Sequence, residues 1–140
     1  MIKVKELMKS QVVTIGPQEA IKYAIDKMNT GRFRRIPVIE KGRLTGIITD
    51  RDIRQALNSP VIFHERVYNE YLLKEIKVES CMTPDPITIS PGAEIIEAAQ
   101  LMEMRKIGGL PVVENDSLIG IITLSDLMVF LIEHLKNHSH

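Results

Sequence analysis

Apolar residues follow two different spacings along this 140-residue chain. Two segments, beginning at Ile21 and Ile95, place apolar side chains at i, i+3, i+4 and i+7, which predicts amphipathic helices. Each segment is followed by a short apolar run containing a proline, then by a polar turn and a second run that ends in "GIIT". Two such runs around a short turn predict a β-hairpin.

The whole pattern occurs twice. The stretch "GIITDRD", Gly46 to Asp52, returns as "GIITLSD" from Gly120 to Asp126, an offset of 74 residues. No gap is needed to align Val4 to Leu57 with the second copy, so the chain is a tandem duplication. Short β-branched runs before each helix predict one more strand, and each copy therefore predicts the order β-α-β-β-α.

The repeat sets the expected organisation as an α+β fold of two pseudo-symmetric copies. We expect repeat 1 at residues 1–58, a linker of loop and helix at 59–77, repeat 2 at 78–135 and a polar tail at 136–140. A half of this size would be marginally stable alone. We therefore expect the copies to pack sheet to sheet, which leaves two related clefts between them.

The balance of charged residues limits the kinds of molecule that we expect this protein to bind. The chain has 18 basic and 18 acidic residues, and this balance argues against nucleic acid or an anionic membrane as the main partner. The single cysteine, Cys81, excludes an internal disulfide. No apolar run approaches the length of a membrane span, and the first residues do not resemble a signal peptide, so we expect a cytoplasmic protein.

The repeated Thr-x-x-Asp element, Thr49 to Asp52 and Thr123 to Asp126, has two interpretations. It matches the signature of a helix start, where Thr caps the helix and Asp suits its dipole, a contribution of about 1 kcal/mol. It also suits a nucleotide, because Asp can accept hydrogen bonds from ribose hydroxyls and the helix start can receive phosphate.

Basic residues for a phosphate are present in the first copy, namely Arg34, Arg35 and Arg51. The planar guanidinium can hold phosphate in a bidentate manner. The alternative is that the segment "GRFRR" is a solvated charged turn.

The doubled motif, a proline-containing run followed by "GIITxxD" with "Met … TIxP" upstream, resembles a tandem pair of cystathionine-β-synthase (CBS) domains, a Bateman module. The resemblance covers nearly the whole chain and extends to CBS pairs of the acetoin-utilisation type. It implies a homodimeric sensor that binds AMP, ADP, ATP or S-adenosylmethionine between its repeats and signals to an effector protein, without a required cofactor.

The same resemblance implies two sites. The residues of the first are Thr49, Arg51, Asp52 and Arg35, with Ser90, Ile95, Ile107 and Gly108 around the base. The residues of the second are Thr123, Ser125 and Asp126, with Gly16, Ile21, Phe33 and Arg34.

The two expected sites differ in charge. Gly108 and its neighbour stand where the first copy has Arg34 and Arg35, and Ser125 stands where it has Arg51. We therefore expect a nucleotide to prefer the Asp52 site.

Other candidate chemistry has little support. Cys81 aligns with Leu7 and is interpreted as a buried apolar residue. His134 and His138 have a spacing that can chelate a metal, but they lie near the end of the chain. We find no nucleophile–base pair, metal cluster or P-loop, and we expect no catalytic residue.

The last helix is apolar on nearly every face, which predicts contact with a partner chain. The alternative function is a structural dimerisation module without a physiological nucleotide, in which the Thr-x-x-Asp elements are only caps.

Overall fold

The computed structural model describes residues 1–58 and 69–138, and the chain forms two compact units. We call Val13–Pro86 the first-repeat unit, and Met1–Val12 together with Ile87–His140 the second-repeat unit. Residues 59–68 of the linker expected at 59–77 and the last two residues of the tail lie outside the described residues. No helix in the described part of the chain is long and apolar enough to cross a membrane.

The first-repeat unit is built on a three-stranded antiparallel sheet with β2 in the centre. The helices of this unit are α2 (Ile21–Gly31), α3 (Asp50–Leu57), α4 (Asn69–Glu75) and α5 (Val78–Cys81). Its strands are β1 (Arg35–Glu40), β2 (Arg43–Thr49) and β3 (Thr83–Pro84). The linker helix predicted from the sequence is therefore present as α4.

The second-repeat unit has the same plan. Its helices are α1 (Val4–Leu7), α6 (Ile95–Arg105) and α7 (Leu124–Asn137), and its strands are β4 (Gly109–Glu114) and β5 (Ser117–Thr123). The two strands pair antiparallel. Lys9 forms one further antiparallel bridge, to Ile121. In the first-repeat unit the equivalent pairing is that of Thr83, in β3, with Ile47. The mixed α+β class predicted from the sequence is confirmed.

The first predicted strand of each repeat is reduced to a single parallel bridge, Ile15 to Val38 and Ile89 to Val112. The Ile15 N–H donates to the Pro37 carbonyl (3.1 Å), and the Ile15 carbonyl accepts from Ile39 N–H (2.9 Å). Pro37 therefore lies on an outer strand, where its missing N–H leaves the ladder to β2 intact.

Both hairpins turn through two residues with positive φ. These are Lys41 and Gly42 (51° and 78°) and Asn115 and Asp116 (52° and 64°). Positive φ at both central positions is the type I′ turn, whose twist matches that of paired strands. The hairpins predicted from the apolar runs are confirmed.

Each unit has its own apolar core under its sheet. The core of the first-repeat unit contains Ile15, Ile21, Ala24, Met28, Ile36, Val38, Ile48, Ile53 and Val78. The core of the second-repeat unit contains Val4, Ile89, Ala98, Met102, Leu110, Val112 and Ile122. The helix faces predicted from spacing supply Ile21, Ala24 and Met28 to the first core and Ala98 and Met102 to the second.

The compact units do not follow the repeats along the chain. Val4 and Val78 occupy equivalent positions of the two repeats, and both are fully buried. Val4, from the start of repeat 1, lies in the core of the second-repeat unit, and Val78, from the start of repeat 2, lies in the other core. Each core is thus completed by the segment that opens the opposite repeat.

A glycine in the central part of each hairpin allows this segment to approach. A Cβ on Gly46 would lie 2.6 Å from Met82 Sδ and 2.9 Å from the Thr83 carbonyl oxygen. A Cβ on Gly120 would meet Met8 Sδ and the Lys9 carbonyl oxygen at the same two distances. Because one contact in each case is backbone, the clash cannot be relieved by a side-chain rotation alone.

We expect Gly46→Ala to lower the free energy of unfolding by about 1–3 kcal/mol, the usual cost of overpacking. Urea denaturation followed by circular dichroism measures the change. Gly92→Ala is the matched control, because its new Cβ would have Ser90 Oγ as nearest contact at 3.8 Å. Equal stability of the two variants would contradict the close-approach argument.

Candidate functional site

The repeated Thr-x-x-Asp element of the first-repeat unit lies where β2 ends and α3 begins. Asp52 N–H donates to Thr49 Oγ1 (3.1 Å), and Thr49 N–H donates to Asp52 Oδ2 (2.9 Å). These two bonds form a reciprocal capping box. The structural interpretation of the motif is therefore correct, and one carboxylate oxygen of Asp52 belongs to the cap.

The second-repeat unit repeats this geometry between β5 and α7. Thr123 N–H donates to Asp126 Oδ2 (2.9 Å), and Asp126 N–H donates to Thr123 Oγ1 (3.4 Å). The Thr123 hydroxyl also donates to Asp126 Oδ2 (3.1 Å). In both units the cap uses Oδ2 and leaves Oδ1 for another partner.

That other partner differs between the units. Thr83 Oγ1 donates to Asp52 Oδ1 across 3.3 Å, a long contact from a neutral hydroxyl. Lys9 Nζ instead forms a short ion pair with Asp126 Oδ1. Thr83 and Lys9 are equivalent positions of the repeat, so one fold carries two different neighbours for the same carboxylate.

Sequence analysis missed both residues. The available signal was their position, since each directly follows the methionine that packs on Gly46 or Gly120. The expectation that positive charge is concentrated in the first copy left out Lys9. Its ammonium gives the Asp126 element a cation, although Gly108 and Gly109 stand where the first copy has Arg34 and Arg35.

The predicted phosphate residues lie beside the Asp52 element. Arg35 is directly opposite Thr49 in the β1–β2 ladder, and the Arg34 carbonyl accepts a hydrogen bond from Asp50 N–H (2.9 Å). Opposite residues of an antiparallel pair share a face of the sheet. Arg51 is exposed on the first turn of α3. The structure therefore brings all of the predicted phosphate residues to one end of the hairpin.

Burial is the main influence on the Arg35 guanidinium. Burial lowers the pKa of Arg35, the carboxylate of Asp50 acts in the opposite direction, and Arg34 lowers it further. A half-buried cation has lost part of its hydration, so it gains more from an anionic ligand than an exposed cation does.

Cys81 lies close enough to Asp52 to be influenced by its charge. Burial raises the pKa of the Cys81 thiol, and the negative charge of Asp52 raises it further. Cys81 packs against the first core, as its counterpart Leu7 packs against the second, but it is partly exposed rather than buried as expected. A thiol kept protonated in this way is a poor nucleophile.

A cavity of about 490 Å³ opens on the first-repeat unit between α2 and α3. Its lining includes Phe33 and Arg34 from the predicted set, together with Ile25, Met28, Asn29, Arg32, Asp50, Ile53 and Arg54. Thr49, Arg51 and Asp52 do not line it. The cavity therefore faces a different side of the first turn of α3 from the Asp52 carboxylate.

The residues expected around a base are divided between the units. Ser90, Ile95, Ile107 and Gly108 belong to the second-repeat unit, whereas Thr49, Arg51, Asp52 and Arg35 belong to the first. Ser90 is exposed and the other three are partly exposed. The Ser90 hydroxyl accepts a hydrogen bond from Gly92 N–H (3.2 Å).

The second expected set is divided in the same way. Thr123, Ser125 and Asp126 lie in the second-repeat unit, and Gly16, Ile21, Phe33 and Arg34 in the first. Ile21 has no exposed surface and is part of the core, so we remove its side chain from the candidate set. Gly16 N–H already donates to the Glu19 carboxylate (2.6 Å).

The two candidate metal-binding histidines stack on each other at the end of α7. The ring centroids of His134 and His138 are 4.2 Å apart, and His138 Nδ1 lies 2.8 Å from the His134 carbonyl oxygen. Among residues 1–58 and 69–138, no group of three or more His, Cys, Asp or Glu side chains is arranged to hold a metal ion.

Comparison with known proteins agrees with this architecture. The CBS domain model matches residues 4–59 and 74–133. The CBS domain-containing protein DDB_G0289609 of Dictyostelium discoideum is 38% identical over 96% of this chain and 94% of its own length.

Solved structures give the same result. The acetoin utilization-type protein AcuB of Vibrio cholerae aligns with a TM-score of 0.81 and 30% identity over 100% of this chain and 98% of its own. The CBS domain pair of protein MJ0100, solved with 5′-methylthioadenosine and S-adenosyl-L-methionine, aligns with a TM-score of 0.76 and 25% identity over 92% and 98%.

The resemblance drawn from the repeated motif is thus confirmed along both copies. The chain belongs to the CBS domain family and carries two copies of the domain.

Proposed function

We propose that this protein is a non-catalytic regulatory module that binds an adenosine-containing ligand, with the Asp52 element of the first-repeat unit as its main ribose and phosphate site. In this proposal Asp52 accepts hydrogen bonds from the ribose hydroxyls. Thr49, Arg35 and Arg51 receive phosphate or an equivalent anionic group, with Arg34 close by. The ligand is AMP, ADP, ATP or S-adenosylmethionine.

The observation that carries the proposal is the arrangement at the end of the β1–β2 hairpin. Asp52 has a carboxylate oxygen whose described partner is only a distant, neutral hydroxyl, and Arg35 lies opposite Thr49 on the same hairpin. A hydrogen-bond acceptor for a diol and a half-buried cation for an anion therefore both lie near the junction of β2 and α3. A ribose phosphate presents these two groups side by side.

A solved relative supports the ligand class. The CBS pair of protein MJ0100 was crystallised with 5′-methylthioadenosine and S-adenosyl-L-methionine, and both contain an adenosine ribose. The first of these has no phosphate or carboxylate. The shared nucleoside therefore favours the Asp52 carboxylate as the first contact to test.

Regulation follows from the second role of Asp52 as a helix cap. Oδ2 of Asp52 holds the start of α3, so a ligand on the same carboxylate acts directly on this strand-to-helix junction. A ligand can shift the protein between conformations only by its different affinity for them. We propose that a partner protein recognises the resulting shift.

A structural dimerisation module is the second candidate, and the surface of α7 favours it. The exposed apolar side chains of this helix are Leu124, Met128, Val129, Leu131, Ile132 and Leu135, each at least 45% exposed in the single chain. Such a continuous apolar surface marks an interaction site. We propose a homodimer through α7, which is compatible with either function.

We expect Asp52→Asn to weaken AMP binding by roughly 10- to 100-fold, since hydrogen bonds to a charged group contribute about 1.5–3 kcal/mol. The amide oxygen can still cap α3. Isothermal titration calorimetry measures the affinity. A thermal melt detects the same loss, because ligand at 100 times its dissociation constant stabilises the wild type by about 2.7 kcal/mol.

Asp126→Asn is the matched control, because it changes the equivalent cap of the other repeat. It should leave the high-affinity binding of AMP intact. If both variants bind AMP like the wild type, Asp52 is only a cap and the dimerisation module is the better description.

We expect Arg35→Gln to weaken AMP about tenfold or more while leaving adenosine affinity within twofold, because the guanidinium contacts phosphate alone. Competition binding with the two ligands gives the ratio. Arg43→Gln, at the opposite end of the hairpin, is the control. An equal loss for AMP and adenosine would show that Arg35 supports the fold rather than the phosphate.

We expect the double variant Met128→Glu/Leu131→Glu to be monomeric, because two carboxylates would be buried in the proposed dimer contact. Sedimentation velocity measures the mass of wild type and variant at the same concentration. Val13→Glu places a charge on an exposed apolar residue outside the helices and should leave the dimer unchanged. A monomeric wild type would refute the contact.

A further inference from the structure

We propose that Lys9 blocks the Asp126 carboxylate, so that it cannot accept hydrogen bonds from a ribose. This one side chain would then restrict nucleoside binding to the Asp52 element. The proposal rests on the proposed function, because it assumes that the Asp of each repeat can serve as the ribose acceptor. It adds a residue that determines which of the two elements is used.

The two carboxylates share the main bond of the cap, and Asp126 Oδ2 also accepts the Thr123 hydroxyl. In each unit Oδ2 accepts the backbone N–H of the capping threonine at 2.9 Å, so this oxygen is already committed. Ribose recognition therefore depends on the other oxygen, Oδ1. The partner of Oδ1 is Thr83 at Asp52 and Lys9 at Asp126.

These two partners differ in how readily a ribose can replace them. The Thr83 hydroxyl is neutral, lies 3.3 Å away and can rotate toward another acceptor. The Lys9 ammonium is charged and in close contact with its carboxylate. Charge-assisted hydrogen bonds are roughly twice as strong as neutral ones, so displacing Lys9 is the more costly step.

Burial increases the dependence of the Asp126 carboxylate on Lys9. The Asp126 side chain is only 9% exposed, whereas the Lys9 side chain is 63% exposed. A carboxylate withdrawn from water depends on its cation more than an exposed one does. The exposed ammonium keeps its hydration while it covers the one remaining oxygen of Asp126.

The position of Lys9 in the fold keeps it at this carboxylate. Lys9 N–H donates to the Ile121 carbonyl, and the Lys9 carbonyl accepts from Ile121 N–H, both at 2.9 Å. Met8, just before it, packs against Gly120. The segment is thus fixed to β5 at Met8 and at the backbone of Lys9, and the ion pair is built into the unit.

The test uses adenosine, which has no phosphate, so that Lys9 can make no favourable contact with a charged ligand. The background is Asp52→Asn, which removes the proposed first site. Within this background, Lys9→Thr copies the side chain of the other repeat and Lys9→Met keeps the stem without the charge. Lys5→Thr removes a neighbouring positive charge that has no described contact with Asp126.

We expect both Lys9 variants to raise adenosine affinity at least tenfold over the Asp52→Asn protein in calorimetric titration, while Lys5→Thr changes it by less than twofold. In a protein with Asp52 intact, Lys9→Thr should raise the stoichiometry from one to two adenosines per chain. The reverse change, Thr83→Lys, should weaken adenosine binding at Asp52 at least tenfold.

The dependence of adenosine affinity on salt concentration is an independent test, and it is made first on a protein in which Lys9 is unchanged. Ionic strength weakens an ion pair with an exposed partner. In the Asp52→Asn protein, adenosine affinity should therefore rise with salt, and this dependence should disappear after Lys9→Met. The melting temperature of each variant shows whether it is folded at the assay temperature.

Each failure has a separate signature. If the wild type binds one adenosine and the Lys9 variants gain nothing, the proposed function stands and the role of Lys9 is overturned. If Lys9→Thr weakens AMP but leaves adenosine unchanged, Lys9 is a phosphate ligand and the proposal is likewise overturned. If the wild type binds neither adenosine nor AMP, both proposals are wrong.

Discussion

The junction where a strand passes into a helix, held by one threonine and one aspartate, is the contact on which each unit depends. The carboxylate accepts a backbone N–H from the strand end, and the threonine hydroxyl accepts one from the first turn of the helix. Without these bonds the helix would begin with unsatisfied donors. Because this cap engages only one carboxylate oxygen, the same residue can both start the helix and accept a ligand.

Duplication placed this junction twice in the chain, and divergence of its neighbours gave the two copies different properties. The backbone around them is nearly the same, down to equal approach distances at Gly46 and Gly120. What changed is the partner of the second oxygen, a hydroxyl in one unit and an ammonium in the other. A difference in ligand preference therefore requires no difference in fold, which is how repeated domains can specialise.

The segments at the start of each repeat contact both the core and the strand-to-helix junction of a unit. Val4 and Val78 complete the two cores, and a few residues later the same segments deliver Lys9 and Thr83 to the aspartates. The glycines of β2 and β5 are what allow the segments to lie so close. Packing and the chemistry of the site are thus controlled by the same short stretches of chain.

The repeat is read directly from the two aligned copies. The sequence by itself also predicted the hairpins and the amphipathic helices, and it offered the two capping boxes as one of two interpretations of the Thr-x-x-Asp element. These features depend on residues within a few positions of one another, such as Lys41 and Gly42 in a turn or Thr49 and Asp52 at a helix start. Features that depend on local spacing and backbone conformation can be predicted from a single sequence. The CBS resemblance then identified the Asp52 and Asp126 elements as candidate ligand sites.

Tertiary structure alone decided which segment completes which core, and therefore which side chain meets each aspartate. Lys9 and Asp126 are separated by 117 positions, and nothing local to either residue predicts their contact. The tertiary structure also reduced the first predicted strand of each repeat to one bridge and buried Ile21 completely. The physical reason is that pairing between distant segments is selected by the burial and hydrogen bonding of the whole unit, whereas caps and turns are selected by their own few residues.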